Sequence, residues 1–247
     1  MEFLISDYLT AFFIFLGAVL YSSVGHGGAS SYIAIMAFMG SPISSIKPIG
    51  LILNIIVSSV SSYRFIKHRL FNIKVFIPVA LGSVPAAFLG GYIDLPENIY
   101  RPLVGLILIA GGLQFLFNIF RYSGIVNNKV NPFLGFFAGL LIGFISGLTG
   151  TGGGIFLSPL IVFLGWTSVK GASGTAALFI LFNSIAGLLG NLSLVKILPP
   201  EIYLYSLAVI LGVLIGTQLG IKYLMEEGVK KSLGVVLIIA GIKFIFT

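Results

Sequence analysis

A chain of 247 residues that is 57% hydrophobic and 9% charged, with mean hydropathy +1.12, carries more apolar surface than a soluble domain can bury. It reads as an integral membrane protein. The net charge of +7 comes from 14 Lys and Arg against 7 Asp and Glu; the basic residues lie mostly between apolar runs, where membrane topology accounts for them and no nucleic-acid partner is needed. With no cysteine, the chain has neither disulfides nor thiol chemistry.

Met1 to Ser6 carries Glu2 and no Lys or Arg, so it lacks the basic region of a cleavable signal peptide and is expected to be retained. Apolar runs follow at about 3–24, 28–41, 43–66, 72–93 and 99–120, then at 132–148, 154–166, 171–195, 201–224 and 230–246. Most approach or exceed the roughly 20 residues that cross a hydrocarbon core of about 30 Å. They are continuous rather than alternating, and lipid offers no partner to a backbone amide, so the fold class is all-α and multi-pass, not a β-barrel. The second run of each half differs. Residues 29–40 and 155–166 reach only about 18 Å as helix, too short to cross, and predict re-entrant or broken helices.

The last five runs repeat the first five in order and length, which predicts an internal duplication. "LVGLILIAGGLQFLF" from Leu103 resembles "SLGVVLIIAGIKFIF" from Ser232, placing Gly105, Ala110, Gly111, Phe115 and Phe117 on Gly234, Ala240, Gly241, Phe244 and Phe246. An offset of 125 puts Gly25, Gly27, Gly28 and Gly40 on Gly150, Gly152, Gly153 and Gly165, and Ser59 on Ser184. The expected division is a first membrane repeat at 1–121, a linker at 122–131 and a second repeat at 132–247. Charge then bears on topology. If the glycine break after the first run turns a hairpin, one side of the membrane receives Arg64, Lys67, Arg69, Lys74, Arg121, Lys129, Lys170, Lys222, Lys230 and Lys231. The other receives only Lys47, Arg101, Lys196 and Lys243, a split of 10 to 4. A break inside one crossing gives 8 to 6. The positive-inside rule favours the hairpin, with inverted halves of five segments each and both termini outside.

The breaks themselves are "VGHGG" at 24–28 and "TGTGGG" at 149–154. Gly costs a helix about 1 kcal/mol relative to Ala, and consecutive glycines let the backbone unwind. Unwound backbone at membrane depth survives only where it is buried in protein or lines a wet cavity. A helix restarting after the break offers unpaired N–H groups and its positive dipole end to an anion. Gly27, Gly28, Gly152, Gly153 and Gly154 are therefore candidate anion-binding amides. Side-chain partners are expected among Ser22, Asn54, Thr149, Thr151, Ser173, Thr175 and Asn183, polar residues on the runs beside the breaks. His26 is the one titratable group within a break. Its ordinary pKa near 6.5 suits proton coupling, although a His hydrogen-bonded in the turn reads equally well. Lys47 offers a positive charge to an anion cavity or is simply a loop lysine. The stripes Gly135, Gly139, Gly143, Gly147 and Gly212, Gly216, Gly220 read as helix packing. All seven carboxylates sit near predicted ends or loops, which disfavours a cation pump. Neither break has the Lys-Ser or Lys-Thr of a nucleotide loop. No cofactor or metal is implied.

The breaks together with "GLTGTGGGIFLSPLIVFLGW" and the following "GASGTAALFILFNSIAGLL" resemble the TauE/SafE group of sulfite and organosulfonate exporters over nearly the whole chain. That resemblance implies transport of a small sulfur-containing anion, such as sulfite or sulfoacetate, across the cytoplasmic membrane of a prokaryote. The family is usually described with each opening segment counted as one crossing, which the charge count here opposes. The other readings are a carrier or channel for another small solute, an intramembrane enzyme, for which the spans lack a nucleophile with a base, and a structural membrane protein. A homo-oligomer is compatible with all of them.

Overall fold

The computed structural model describes residues 3–117, 129–192, 198–223 and 227–246. Among them are ten helices and no strand: α1 Ile5–Ser23, α2 Ala29–Phe38, α3 Ile43–Lys67, α4 Ile73–Tyr92, α5 Glu97–Phe117, α6 Pro132–Thr149, α7 Gly154–Phe163, α8 Val169–Asn191, α9 Glu201–Lys222 and α10 Glu227–Phe246. Seven of these, α1, α3, α4, α5, α6, α8 and α9, are long and apolar enough to span a bilayer. Helices α2 and α7 have 10 residues each, about 15 Å of helix, and fall short. Most of the expected linker, along with Arg121 and Lys196, lies outside the described residues.

Local chemistry sets the starts of several helices. Asn72 accepts from the Lys74 N–H at the head of α4. Asn131 accepts from Phe133 and Leu134, with Pro132 following, at the head of α6, and Ser168 caps α8 through Gly171. Each side chain occupies an otherwise orphaned donor.

Several of the contacts come in matched pairs, although those of α2 with α10 and with α1 have no counterpart of similar extent. Helix α4 packs on α6 as α9 packs on α1, α4 on α8 as α9 on α3, and α2 on α3 as α7 on α8; α3 packs on α8 and α5 on α10. Each helix maps onto the one five places later, which is consistent with a duplication. In α3 and α8, Leu51 lies at Gly187 and Phe65 at Gly174, so the two run antiparallel. Helices α5 and α10 are antiparallel too, with Gly105 against Gly241 and Gly112 against Gly234. Antiparallel pairing of equivalent helices is what inverted halves require. One offset of 129 relates these four glycines, so Gly112 rather than Gly111 is the partner of Gly241 in this pattern. The repeated apolar residues around Ala110 concealed that one-residue slip.

The glycine stripes pack backbone on backbone. Gly139, Gly143 and Gly147 of α6 lie on the carbonyls of Val79, Ser83 and Ala87 in α4, and Gly212, Gly216 and Gly220 of α9 lie along Phe15, Val19 and Ser23 of α1. A Cβ at these positions has no room, which is how small residues bring membrane helices together. Both pairs run parallel.

These directions decide the hairpin question. Arg64, near the end of α3, donates to Leu214 O and Thr217 Oγ1 of α9 at 2.6 Å each, so α9 and its parallel partner α1 run the same way as α3. Helix α2 then returns: its last carbonyl, Phe38 O, accepts from Lys243 Nζ near the end of α10 at 2.8 Å. Gly17, two turns before the end of α1, lies against Ser31 and Tyr32 at the start of α2. In the second half, Gly153 at the head of α7 folds back on Ser146 and Ile142 of α6, and Trp166 just beyond α7 meets Asn72 at the head of α4. Both openings are re-entrant hairpins. Arg64, Lys67, Arg69, Lys74, Lys129, Lys170, Lys222, Lys230 and Lys231 consequently fall at one end of the bundle, the basic end, and Lys47, Arg101 and Lys243 at the other.

Because the chain has no cysteine, single substitutions report sidedness. Leu4→Cys and Ser44→Cys are expected to react with an impermeant thiol reagent from one face of the membrane, and His68→Cys from the other. Labelling of Leu4→Cys and Ser44→Cys from opposite faces would mean that residues 5–38 cross once.

Candidate functional site

Helix α1 stops at Ser23 and α6 at Thr149 because the next residues leave helical space. Gly25 and Gly28 have φ of +75° and +93°, and Gly150, Gly152 and Gly153 have φ of +80°, +78° and +74°. Residues with a Cβ rarely adopt that region, and these positions therefore select glycine. Gly28 and Gly153, equivalent at the offset of 125, each sit at the N-cap of the short helix that follows.

The breaks meet at Asn54, in the middle of α3 and 0% exposed. Its Oδ1 accepts from Ala29 N–H, the first residue of α2, at 2.9 Å. Its Nδ2 donates to Thr151 O in the second break at 3.4 Å and to Ser184 Oγ of α8 at 3.3 Å. One amide thus holds both re-entrant turns against the α3–α8 pair. Ile180 of α8 fills the space between them: a Cβ on Gly27 or Gly152 would stand 2.9 or 3.0 Å from Ile180 Cγ2. His26 of the first break reaches the second, its Cδ2 3.5 Å from where a Cβ on Gly154 would be, and its ring is edge-on to Tyr21 and Phe115.

The second break is fixed from outside as well. Tyr100 of α5 donates to Thr149 O at 3.0 Å. Thr149 Oγ1 bonds Ile145 O at 2.8 Å and pairs with Thr151 Oγ1 at 3.0 Å. In the first break Tyr32 donates back to Gly27 O at 2.9 Å.

Most informative is what the backbone leaves over. The amides of Phe156 and Leu157 bond Gly153 O, and that of Gly150 bonds Ser146 O. Among the described residues no acceptor meets the N–H groups of Thr151, Gly152, Gly153, Gly154 and Ile155, all of them buried. Gly27, Gly28 and Ser30 in the first break are in the same position, whereas Ala29 is satisfied by Asn54. Buried amides without partners are rare and cost roughly 1–3 kcal/mol each. Successive donors in a glycine turn at a helix head form an anion-binding concavity. Helices α2 and α7 start on either side of Asn54, so the positive ends of both dipoles fall in one place. Among the described residues no group of three or more His, Cys, Asp or Glu could hold a metal.

The structure therefore brings together Gly27, Gly28, His26, Asn54, Thr149, Thr151, Gly152, Gly153 and Gly154. Ser173 joins at the edge, its carbonyl against Gly25 while its hydroxyl bonds Val169 O. Three candidates lie elsewhere. Ser22 packs on Gly216 in the α1–α9 contact. Thr175 bonds Gly171 O and the Asn72 N–H at the basic end. Asn183 donates to Ser83 Oγ of α4 and to Phe179 O, away from Asn54. Lys47 lies one shell out, its Cγ 3.2 Å from where a Cβ on Gly150 would be. Sequence reasoning missed Ile180, Tyr32 and Tyr100. Nothing distinguishes Ile180 from dozens of other aliphatics, but a tyrosine with its hydroxyl at membrane depth needs a partner, a signal that Tyr32 and Tyr100 carried.

Asn54→Leu is expected to strand the Ala29 N–H and release Thr151. Thermal unfolding in detergent should show a loss on the order of 1–3 kcal/mol per stranded group; unchanged stability would show that the two turns hold without the tie.

The comparisons with known proteins agree on the class. Residues 9–244 match the family described as sulfite exporter TauE/SafE. A "probable membrane transporter protein" of Sinorhizobium fredii is 37% identical over 96% of both chains. Proteins with the same description from Methanocaldococcus jannaschii and Bacillus subtilis are 27% and 23% identical, over 90% and 75% of this chain and 87% and 75% of theirs. No solved structure matches. With its sequence matched almost end to end and its spans arranged around two glycine breaks, the chain belongs to the TauE/SafE family of membrane transporters.

Proposed function

We propose that this protein is a secondary transporter that moves a small sulfur-containing anion, sulfite or a simple sulfonate such as sulfoacetate, by alternating access between inverted halves at 1–121 and 132–247. The observation that carries the reading is the run of five buried, unpartnered amides from Thr151 to Ile155. A tetrahedral or pyramidal oxyanion accepts several hydrogen bonds at once, and backbone donors at a helix head supply them without burying a counter-charge. The nearby hydroxyls of Thr149 and Thr151 add neutral polarity, and the breaks themselves contain no carboxylate to repel the anion. The family description supports the sulfur-containing class.

The positive-inside rule assigns the basic end to the cytoplasm, which puts both termini outside; the resemblance to exporters of the cytoplasmic membrane supports the cell membrane as the location. His26 lies between the two breaks, so its charge state bears on any anion held there, and it is the candidate for proton coupling. The architecture supports alternating access: α2 and α7 approach Asn54 from opposite ends of the bundle, so movement of either re-entrant hairpin would expose the shared amides to one side.

Proteoliposomes loaded with sulfite or sulfoacetate should show saturable counterflow of the labelled anion. If neither moves while an amino acid or a cation does, the anion reading is wrong. Gly153→Ala puts a Cβ on a residue at φ +74°, 2.8 Å from Ile142 Cγ2. It is expected to lower the transport rate on the order of tenfold, with expression retained. His26→Gln should keep transport but flatten its dependence on pH between about 5 and 8; an unaltered pH profile removes His26 from coupling.

A further inference from the structure

The end of the bundle opposite the basic loops holds a cavity of about 600 Å³ between the starts of α3 and α5 and the ends of α4 and α8. Ser44, Lys47, Asp94, Tyr100, Arg101 and Asn191 are among its lining residues. Resting on the anion reading above, we infer that this cavity is an outer anion-recruiting site with Lys47 as its charged floor.

Charge placement argues for an anion despite the mixed lining. Glu97 and Arg101 form an ion pair with each other. That leaves Lys47 and Asp94, neither of which forms an ion pair among the described residues. Asp94 is exposed and lines the same cavity, where it acts electrostatically on Lys47 and offsets part of its charge. Lys47 is 8% exposed, and a buried charge in low dielectric sets the potential around it far more than a solvated one does. The first turns of α3 and α5 also line this space, and helix N-termini carry the positive end of the dipole.

Lys47 is held loosely enough to serve. Its ammonium donates only to the carbonyls of Gly91 and Ile93, at 3.2 and 3.3 Å. Gly91 O also accepts from Asn191 Nδ2 at 3.3 Å, so turning Lys47 onto an anion does not strand that carbonyl. The floor adjoins the second break directly: Lys47 packs on Gly150, and Tyr100 both lines the cavity and bonds Thr149 O. An anion on Lys47 is therefore one step from the free amides.

The device is one-sided. At the offset of 125, the position equivalent to Lys47 is Ala172, so the second half has no lysine at the matching position. Recruitment is expected from the face that carries Lys47 and not from the other.

Ser44→Cys in this cysteine-free chain places a thiol in the cavity. Its reaction rates with sulfonatoethyl and trimethylammonioethyl methanethiosulfonate report the local potential. The anionic-to-cationic rate ratio should fall several-fold in Lys47→Gln, recover in Lys47→Arg and rise in Asp94→Asn, and methanesulfonate should slow modification only when Lys47 or Arg is present. In oriented proteoliposomes Lys47→Gln should raise KM about tenfold from the cavity side and leave it unchanged from the other. A ratio indifferent to Lys47 and Asp94, or KM unchanged on the cavity side, overturns the recruiting site even where sulfonate transport is measured. An intact ratio and protection with no sulfonate flux would instead uphold the site and defeat the transport reading. Should Lys47→Gln fail to fold, the Lys47→Arg and Asp94→Asn arms decide.

Discussion

A single side-chain amide, that of Asn54, holds this architecture together at its centre. It caps the first helix after one break and ties down the carbonyl of the other, while Ser184 anchors it to the opposite half. Two unwound segments at membrane depth expose more backbone donors and acceptors than lipid or a dry core can satisfy. Asn, with one acceptor and two donors on a short stem, resolves the pairs that must be satisfied for the turns to stay put. Among the described residues it leaves the successive N–H groups from Thr151 to Ile155 without acceptors, and these are the donors on which the proposed anion site rests.

Glycine performs two separate tasks around that point. Spaced four apart on α6 and α9, it removes side chains so that α4 and α1 can pack backbone to backbone and fix the frame. Clustered in the breaks, it adopts left-handed backbone that turns the chain and aims successive amides inward. The frame is rigid because parallel partners come from opposite halves: α6 packs on α4 and α1 on α9. Each re-entrant hairpin is thus braced by the other half of the molecule. Arg64, bonded to Leu214 and Thr217, closes the α3–α9 seam at the basic end, while the opposite end opens into a cavity.

The legible parts of the site were those with strong local physics. Consecutive glycines in an apolar run cannot be a packing stripe, because they face every direction, and both breaks stand where the pattern put them. The re-entrant hairpins followed from the counting of charges and from the shortness of residues 29–40 and 155–166. The polar residues were harder. Ser22, Thr175 and Asn183 lie on the same helices as true neighbours of the breaks but on other faces, and a helix without a polar-apolar stripe, buried on most sides, does not announce which face is which. Thr175 serves the turn into α4 and Asn183 the α4–α8 contact. Asn54 was expected as a side-chain partner of the substrate, and the structure shows it tying the two breaks together.

By itself the sequence determined that this is a helical membrane protein, roughly where its spans lie, and where the backbone must leave the helix, and it carried a repeat pattern with which the helix contacts are consistent. These follow from hydropathy, glycine's lack of a Cβ and the charge bias of loops, all of which act over a few residues. Only the tertiary structure decided which half braces which, that Gly112 and not Gly111 faces Gly234, that Ile180 and Tyr100 border the breaks, and that Lys47 floors a cavity above Gly150. Those facts depend on helices far apart in the chain approaching within van der Waals contact, and no local pattern encodes which faces will meet.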